Sequence, residues 1–422
     1  MESVSTKQLR IAELANRYAN EGLTNLHQHI DAEWLYASFK DLKRQSSAGV
    51  DEENYEAYSG RIVQRAPELL KSFKTGAYKA PAVKREYIPK TDGKQRPIGI
   101  PTTEDKLLQT AVKKVIEPIY ENDFEDFSYG FRKGKSQHQA LERIWHEVRQ
   151  TKARHILDAD IQDCFGSINH SHLRIMLDKR VKDGVVRRQI DKWQKAGVLE
   201  AGMVRHPKTG TPQGGVISPL LSNIYLHEVI DKWYVEIKPQ LKGRSFMVRY
   251  ADDFVMGFEY QSDAKRVMKV IFQRFAKYEL KLHPDKTELI EFSPHNRGTF
   301  DFLGFTHYWG KSRRGYNMVK RKTSRKRLNR SLKAINQWLR TNRHAKVRQL
   351  MVDLNAKLRG HYNYYGITFN SHSIHEYYEK VKRLLHEWLN RRGGNRMNWE
   401  IYASVITDKF PILPPKIVHS YV

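Results

Sequence analysis

Ser245-Phe-Met-Val-Arg-Tyr-Ala-Asp-Asp-Phe-Val-Met-Gly-Phe258 sets two adjacent carboxylates, Asp252 and Asp253, between short runs of Val, Phe, Met and Tyr. The pattern predicts strand, tight turn, strand, with the acids at the turn. Neighbouring like charges in an apolar hairpin are costly unless a cation neutralises them. Hard divalent cations take carboxylate oxygens, and a pair of them clamps the attacking and leaving oxygens in phosphoryl transfer. A solvated Asp-Asp turn is the plainer reading of two acids in a loop. The rest of the chain decides between the two.

Upstream, His155-Ile-Leu-Asp-Ala-Asp-Ile-Gln-Asp-Cys-Phe-Gly-Ser-Ile168 starts as a strand. The two-residue period puts Asp158 and Asp160 on one face and leaves Asp163 beyond the strand end. An acid on a core strand points to a metal ligand or a catalytic base. Phe165 follows closely enough to lie beside whatever Asp160 holds. Gly210-Thr-Pro-Gln-Gly-Gly-Val-Ile-Ser-Pro219 is a small-residue turn feeding a helix. Its glycines admit close approach of another molecule, and free N–H groups at a helix start favour anions. Between Lys84 and Pro101 two β-type runs flank Thr91-Asp92-Gly93, a hairpin turn carrying Lys90, Lys94 and Arg96. A grip on a triphosphate and a solvated basic hairpin both remain open for that stretch alone. Tyr129-Gly-Phe-Arg-Lys-Gly134 mixes rings and cations in the way that suits a nucleic-acid strand.

The 422 residues carry 74 Lys and Arg against 47 Asp and Glu, a formal net charge of +27, which points to a polyanionic partner. With 40% hydrophobic and 11% aromatic residues the chain is globular rather than disordered. No apolar run approaches the roughly 20 residues that span a bilayer, and Met1–Arg10 lacks a signal peptide's apolar stretch, so no membrane partner is expected. The single cysteine, Cys164, excludes an internal disulfide and a cysteine-rich zinc module. The expected setting is a reducing, cytoplasmic one.

Residues 8–80 read as mostly helical, and 105–121 as one helix burying Leu107, Leu108, Ala111, Val115 and Ile119. Ala264–Phe275 reads as an amphipathic helix; 280–290 and 300–305 read as strand-like. Between Asp301 and Asp353 there are fifteen Lys or Arg and no acid. Charge of one sign at that density makes sense against phosphates, with a steep salt dependence. The apolar period nevertheless persists there. Leu328, Leu332, Ile335 and Leu339 form one stripe, Val347, Leu350, Leu354 and Leu358 a second, and Ile374, Tyr377, Val381, Leu384 and Trp388 a third, which predicts a three-helix bundle with basic outer faces. Gly360-His-Tyr-Asn-Tyr-Tyr-Gly366 is expected between the second and third helices, and 393–422, with Gly393-Gly394, Pro411, Pro414 and Pro415, as an extended tail.

In this order the motifs resemble the reverse transcriptases encoded by bacterial group II introns. Lys90–Thr103 and Tyr129-Gly-Phe-Arg132 look like the two fingers motifs, Asp160–Phe165 like motif A of the palm, and Thr211–Gly215 through Pro219–Asn223 like the next palm block. Tyr250-Ala-Asp-Asp253 is the signature tetrapeptide, Pro284-Asp-Lys-Thr287 is similar to motif D, and Phe302-Leu-Gly-Phe305 to the primer grip. Leu358-Arg-Gly-His-Tyr362 falls in the thumb, the X or maturase domain of that family.

The resemblance implies an α+β right-hand polymerase: an N-terminal helical extension (1–80), fingers and palm with an antiparallel palm sheet (81–305), an α-helical thumb or maturase domain (306–392) and a tail (393–422). It implies RNA-directed DNA synthesis from an RNA template, a DNA primer and deoxynucleoside triphosphates, and binding of group II intron RNA for splicing and mobility. Asp160, Asp252 and Asp253 would be catalytic and, with the Ile161 carbonyl, would hold two Mg²⁺ ions, for which Mn²⁺ could substitute. Lys90, Arg96, Phe165, Gln213 and Lys286 would meet the nucleotide, Phe165 by excluding a 2′-hydroxyl and Lys286 as proton donor to pyrophosphate. Phe302, Leu303 and Gly304 would grip the primer, while Arg132, Lys311, Arg321, Lys322, Arg325, Lys326 and Arg327 would contact RNA. The metal-binding cysteine pairs of an HNH-type endonuclease are not found, so the expected form lacks that domain. A splicing cofactor without catalysis, or a related polymerase recruited to phage defence, are the alternatives.

Overall fold

In the computed structural model the described residues are 3–89, 95–200, 202–205, 209–211, 213–296, 298–393 and 397–421. They form two compact units: residues 1–140, 159–256 and 260–288 in one, and 141–158, 257–259 and 289–422 in the other. These units divide the chain differently from the segments expected at 81, 306 and 393.

The first unit mixes helices and two sheets. Helix Thr103–Asp123 runs through its core because one face is continuous Leu107, Leu108, Ala111, Val112, Val115, Ile116 and Ile119. Thr102 caps its start by accepting from the Asp105 N–H at 3.2 Å, and acids at 104 and 105 favour the positive helix end. Helices Val4–Arg17, Ala32–Lys40 and Ile62–Thr75 come from the N-terminal segment, as its spacing predicts. Trp34 of that segment donates its indole N–H to Ala111 O at 3.0 Å.

Strands Val83–Pro89 and Gln95–Ile100 pair antiparallel, and Val83 continues in parallel onto Val198. The expected hairpin turn, with Lys90 and Lys94, lies outside the described residues. In the other sheet the order is Ser245–Tyr250, Asp253–Phe258, His155–Gln162, Lys281–Leu282. Strands Ser245–Tyr250 and Asp253–Phe258 are buried on both faces along nearly their whole length, the pattern of a covered sheet. Helices Ser218–Leu226 and Gln261–Lys277 supply buried Leu221, Ile224, Val267 and Ile271 to this unit.

The second unit holds helices Arg325–Asn342, Val347–Tyr365 and Ser371–Asn390, with Leu328, Ile335, Leu339, Leu350, Leu354, Leu358, Ile374, Tyr377, Val381 and Trp388 buried together. Three expectations need correction here. The strand expected at 300–305 is there, but it belongs to a three-stranded sheet, Thr299–Phe302, Phe305–Lys311 and Asn317–Thr323, so the segment from 306 to 323 is strand and not part of an all-helical thumb. Residues 360–365 continue the second helix, because nothing crowds Gly360 and Tyr362 fills the core; the chain turns only at Gly366. The tail opens with helical turns at Trp399–Ile401 and Tyr402–Thr407 before running extended. That extended run is docked: Leu413 N–H donates to Asn355 Oδ1 at 2.8 Å and Tyr421 N–H to Thr368 Oγ1 at 3.0 Å.

Candidate active site

The acidic turn is a two-residue reversal between Ser245–Tyr250 and Asp253–Phe258, and its first residue, Ala251, has φ +58°. That conformation is unfavourable for a residue with a Cβ and persists only where the surroundings impose it. Here Arg249 imposes it. Its guanidinium, 0% exposed, donates through Nη1 to Ala251 O at 2.9 Å and to Asn223 Oδ1 at 3.1 Å, through Nε to Asp231 Oδ1 at 2.8 Å, and through Nη2 to Asp231 Oδ2. Burial would push the Asp231 carboxyl up, but the Arg249 charge and its hydrogen bonds outweigh that and hold it below the usual value. Asn223 in turn donates to Gly130 O at 2.6 Å. A Cβ on Gly130 would lie 2.2 Å from Ala251 N, so this backbone approach requires glycine.

Sequence reasoning took the Tyr129–Gly134 loop as a nucleic-acid contact and missed this role. It also missed Arg249, Asp231 and Asn223, although charged and amide groups inside otherwise apolar runs are the signal of a paired interior. Arg132 needs correction as an RNA contact. It is buried, donating to Glu121 Oε2 at 3.0 Å and to Glu125 O and Ser128 O at 2.7 Å, with its guanidinium 5.2 Å from the Phe124 ring centroid. Phe131 beside it is exposed.

Asp160 lies on the neighbouring strand, aligned by Ile161 pairing Leu282 and by His283 N–H donating to Asp160 O at 2.8 Å. Lys286 Nζ sits 2.5 Å from Asp160 Oδ2. Burial raises the Asp252 carboxyl above its ordinary value, and the Asp160 charge adds to the rise against Arg96 and Arg249. Asp160 and Asp252 therefore feel each other, and Asp253 follows directly. This is an all-oxygen, anionic donor set of the kind hard divalent cations take. Among the described residues no three ligands are already drawn together, and Asp160 is paired with Lys286.

Beside the acids, Asp163 adopts φ +42° and starts the short helix Cys164–Ser167, in which Phe165 is 8% exposed. Thr211 N–H donates to Phe165 O and Gly210 N–H to Ile168 O, each at 2.8 Å. Gln213 then reaches two partners: its Nε2 donates to Asp163 Oδ1 at 3.3 Å and its Oε1 accepts from Arg96 Nε at 3.0 Å. Gly99 N–H donates to Gln213 O at 2.6 Å. Gly214, at φ +115°, has no room for a Cβ, which would lie 2.5 Å from Gly99 O. Arg96, Gln213 and Asp163 are thus linked in one chain of contacts, next to Phe165; Lys90 lies outside the described residues.

In the second unit Leu303 (φ +49°) and Gly304 (φ +82°) make the turn after Phe302, which is buried. Leu303 O accepts from the Tyr364 hydroxyl at 2.8 Å and Gly304 O from Ser324 N–H at 3.0 Å. Lys311, Lys322, Arg325, Lys326 and Arg327 are exposed. Arg321 is not, and its reading as an RNA contact is corrected. Strand alternation sends it inward opposite His307, 0% exposed and 4.8 Å from the Tyr421 ring centroid. Burial pulls Arg321 down to about 10.

Residues 88–307 match the family model described as reverse transcriptase (RNA-dependent DNA polymerase), and residues 326–402 match that of the group II intron, maturase-specific domain. The chain is 36% identical over 241 residues to the group II intron-encoded protein LtrA of Lactococcus lactis subsp. cremoris, covering 56% of this chain and 39% of that protein. Over 320 residues it is 33% identical to protein YkfC of Escherichia coli (strain K12), covering 67% and 82% respectively. An uncharacterized 91 kDa protein in the cob intron of Schizosaccharomyces pombe is 32% identical over 190 residues, 45% of this chain and 23% of that protein. The chain therefore spans well under half the length of the lactococcal and fission-yeast relatives. No helix among the described residues is long and apolar enough to cross a membrane.

Proposed function

The chain belongs to the reverse transcriptase (RNA-dependent DNA polymerase) family, and from that premise we propose that it is the RNA-directed DNA polymerase of a group II intron, which also binds the intron RNA to assist splicing and mobility. Supporting the first part is the placement of Asp160, Asp252 and Asp253 on adjoining strand ends, beside the Arg96–Gln213–Asp163 contacts and Phe165. Supporting the second is the maturase-specific match over the helices that follow a run of exposed cations.

In this reading residues 81–305 are fingers and palm and 306–392 the thumb of a right-hand polymerase, with 1–80 as an extension and 393–422 as a tail. Asp160, Asp252, Asp253 and the Ile161 carbonyl would hold two divalent cations, Mg²⁺ or, in its place, Mn²⁺. Bound there, such ions would supply activation of the primer hydroxyl and neutralisation of the triphosphate. The protein's own groups position and balance charge. Arg249 fixes the turn that presents Asp252 and Asp253. Lys286 covers Asp160 until substrate arrives and then offers the Nζ proton to the departing pyrophosphate. Arg96, with Lys90, draws the phosphates, Gln213 lines the pocket, and the Phe165 ring blocks a 2′-hydroxyl. Phe302, Leu303 and Gly304 grip the primer, and Lys311, Lys322, Arg325, Lys326 and Arg327 meet RNA phosphates.

The test is extension of a DNA primer on an RNA template. Asp252→Asn removes charge from the cation site and leaves the basic surface alone, so extension is lost while RNA binding stays within about threefold. Extension within tenfold of the parent would refute the assignment.

A further inference from the structure

Away from the acidic turn, the first unit also encloses the Asp105 carboxylate among side-chain hydrogen-bond donors. Asp105 lies in the first turn of helix Thr103–Asp123 and is 1% exposed. Its Oδ1 accepts from Trp193 Nε1 at 2.6 Å and from the Tyr78 hydroxyl at 3.1 Å; its Oδ2 accepts from Gln109 Nε2 at 2.9 Å. Burial raises its pKa to about 6, the three donors acting against the rise and Glu104 adding to it; donors on both oxygens are the setting of a carboxylate anion.

Gln109, also buried, is oriented by that bond. With Nε2 committed to Asp105, its Oε1 accepts from the backbone N–H of Ile217 at 3.3 Å. Ile217 closes the segment 210–217 and precedes helix Ser218–Leu226. The same segment carries Gln213 to Arg96 and Asp163. A relay of two side chains therefore connects a buried anion to the backbone of the loop in the candidate site.

We propose that Asp105 is a positioning residue for nucleotide binding: through Gln109 it fixes the Ile217 N–H, and with it the placement of Gln213 opposite Arg96 and Asp163. The inference rests on the reading of Gln213 as a nucleotide contact. The chemistry is directional, because both groups that Gln109 joins are specified. An amide at 105 keeps an acceptor for Trp193 and Tyr78 but turns an NH₂ toward the Gln109 NH₂. Gln109 must then turn over, which sets its NH₂ against the Ile217 N–H. Either arrangement opposes two donors in a dry interior.

Steady-state incorporation on an RNA template, with KM for the deoxynucleotide separated from kcat, tests this in the full chain. Asp105→Asn is expected to raise KM about tenfold and to change kcat less than about threefold, as misplacing one ground-state contact should. Asp105→Asn combined with Gln109→Glu restores every donor to an acceptor. The asparagine NH₂ donates to the new carboxylate, whose other oxygen accepts from Ile217, and KM should return to within about threefold of the parent. Gln109→Met, which leaves Asp105 its bonds to Trp193 and Tyr78, should raise KM as Asp105→Asn does and carries the test if the latter fails to fold.

A parental KM in Gln109→Met or Asp105→Asn would overturn the proposal. So would a double variant no better than the single one, or a fall in kcat alone, which would make Asp105 a packing anchor. Gln213→Ala is the separate control. If it leaves KM unchanged, the nucleotide reading of Gln213 fails; if it raises KM while Asp105→Asn does not, only the relay fails.

Discussion

Removing Asp231 should unfold the acidic turn from within. Asp231→Ala strips the Arg249 guanidinium of its carboxylate partner while leaving the cation fully buried, with Asn223 Oδ1 and Ala251 O as its remaining acceptors. Removing one member of a buried ion pair costs about 3–5 kcal/mol, because the other charge is left without compensation. Replacing both at once with apolar groups of similar volume, Arg249→Met with Asp231→Leu, removes the charge problem and should recover most of that loss.

What the double variant cannot recover is the hold on Ala251 O. The unfavourable φ of +58° then stands without its clamp, at a cost of order 1–3 kcal/mol, and relaxation of the turn displaces Asp252 and Asp253. Denaturant unfolding should therefore show a large loss for Asp231→Ala and a small one for the pair, while primer extension stays at least about tenfold down in both. Stability of Asp231→Ala within about 1 kcal/mol of the parent would refute the ion-pair argument. Parental extension by the double variant would refute the clamp.

The pH dependence carries opposite signs at two buried acids. Asp231 is held below its unfolded value, so its stabilisation is present above about pH 4 and is lost as the pH falls through the lower folded value. Asp105 is raised from 3.8 to about 6, so the folded state binds the extra proton between those values and stability falls as the pH rises through them, by about 3 kcal/mol. Asp105→Asn should flatten that slope in unfolding curves taken from about pH 4 to 6; an unchanged slope would assign the effect elsewhere. Phe165→Ala should admit ribonucleotides, measured as the ratio of deoxy- to ribonucleotide incorporation, and an unchanged ratio would leave Phe165 a packing residue. Arg321→Met should hold or raise thermal stability and leave RNA affinity unchanged, since the buried guanidinium has no hydrogen-bond acceptor among the described residues. Weakened RNA binding by that variant would return Arg321 to the surface role first expected of it.

Which features the sequence revealed follows from period and charge. The helix stripes beginning at Leu328, Val347 and Ile374 are core contacts repeated every third or fourth residue, and such repetition survives without knowledge of the partner. Asp160, Asp252 and Asp253 stood out because acids at the ends of apolar strands have few structural uses. The misses share a different cause. Arg249 and Arg321 carry the same charge as the surface cations of the chain, and only the ion pair with Asp231 in the one case and strand alternation opposite His307 in the other set them inside. Gly130 looked like a loop glycine, yet its requirement comes from Ala251, remote in sequence. The strand at 300–305 was legible, but its two partners up to Thr323 were hidden because their cations mask a period-two pattern that Phe305, His307, Val319 and Arg321 complete only as a folded layer.

Polymerisation and maturation are the two halves of the account, and one paired measurement separates them: splicing rate and primer-extension rate in a single buffer at moderate salt. The variants are Asp253→Asn and the triple replacement of Arg325, Lys326 and Arg327 by Ala. Each phosphate contact removed should lower the salt dependence of intron RNA binding by about one unit. The expected result is a crossed pattern, with Asp253→Asn losing extension and sparing splicing, and the triple variant losing splicing and intron binding while extending a short generic template at close to the parental rate. Parallel loss of both activities in both variants would contradict it.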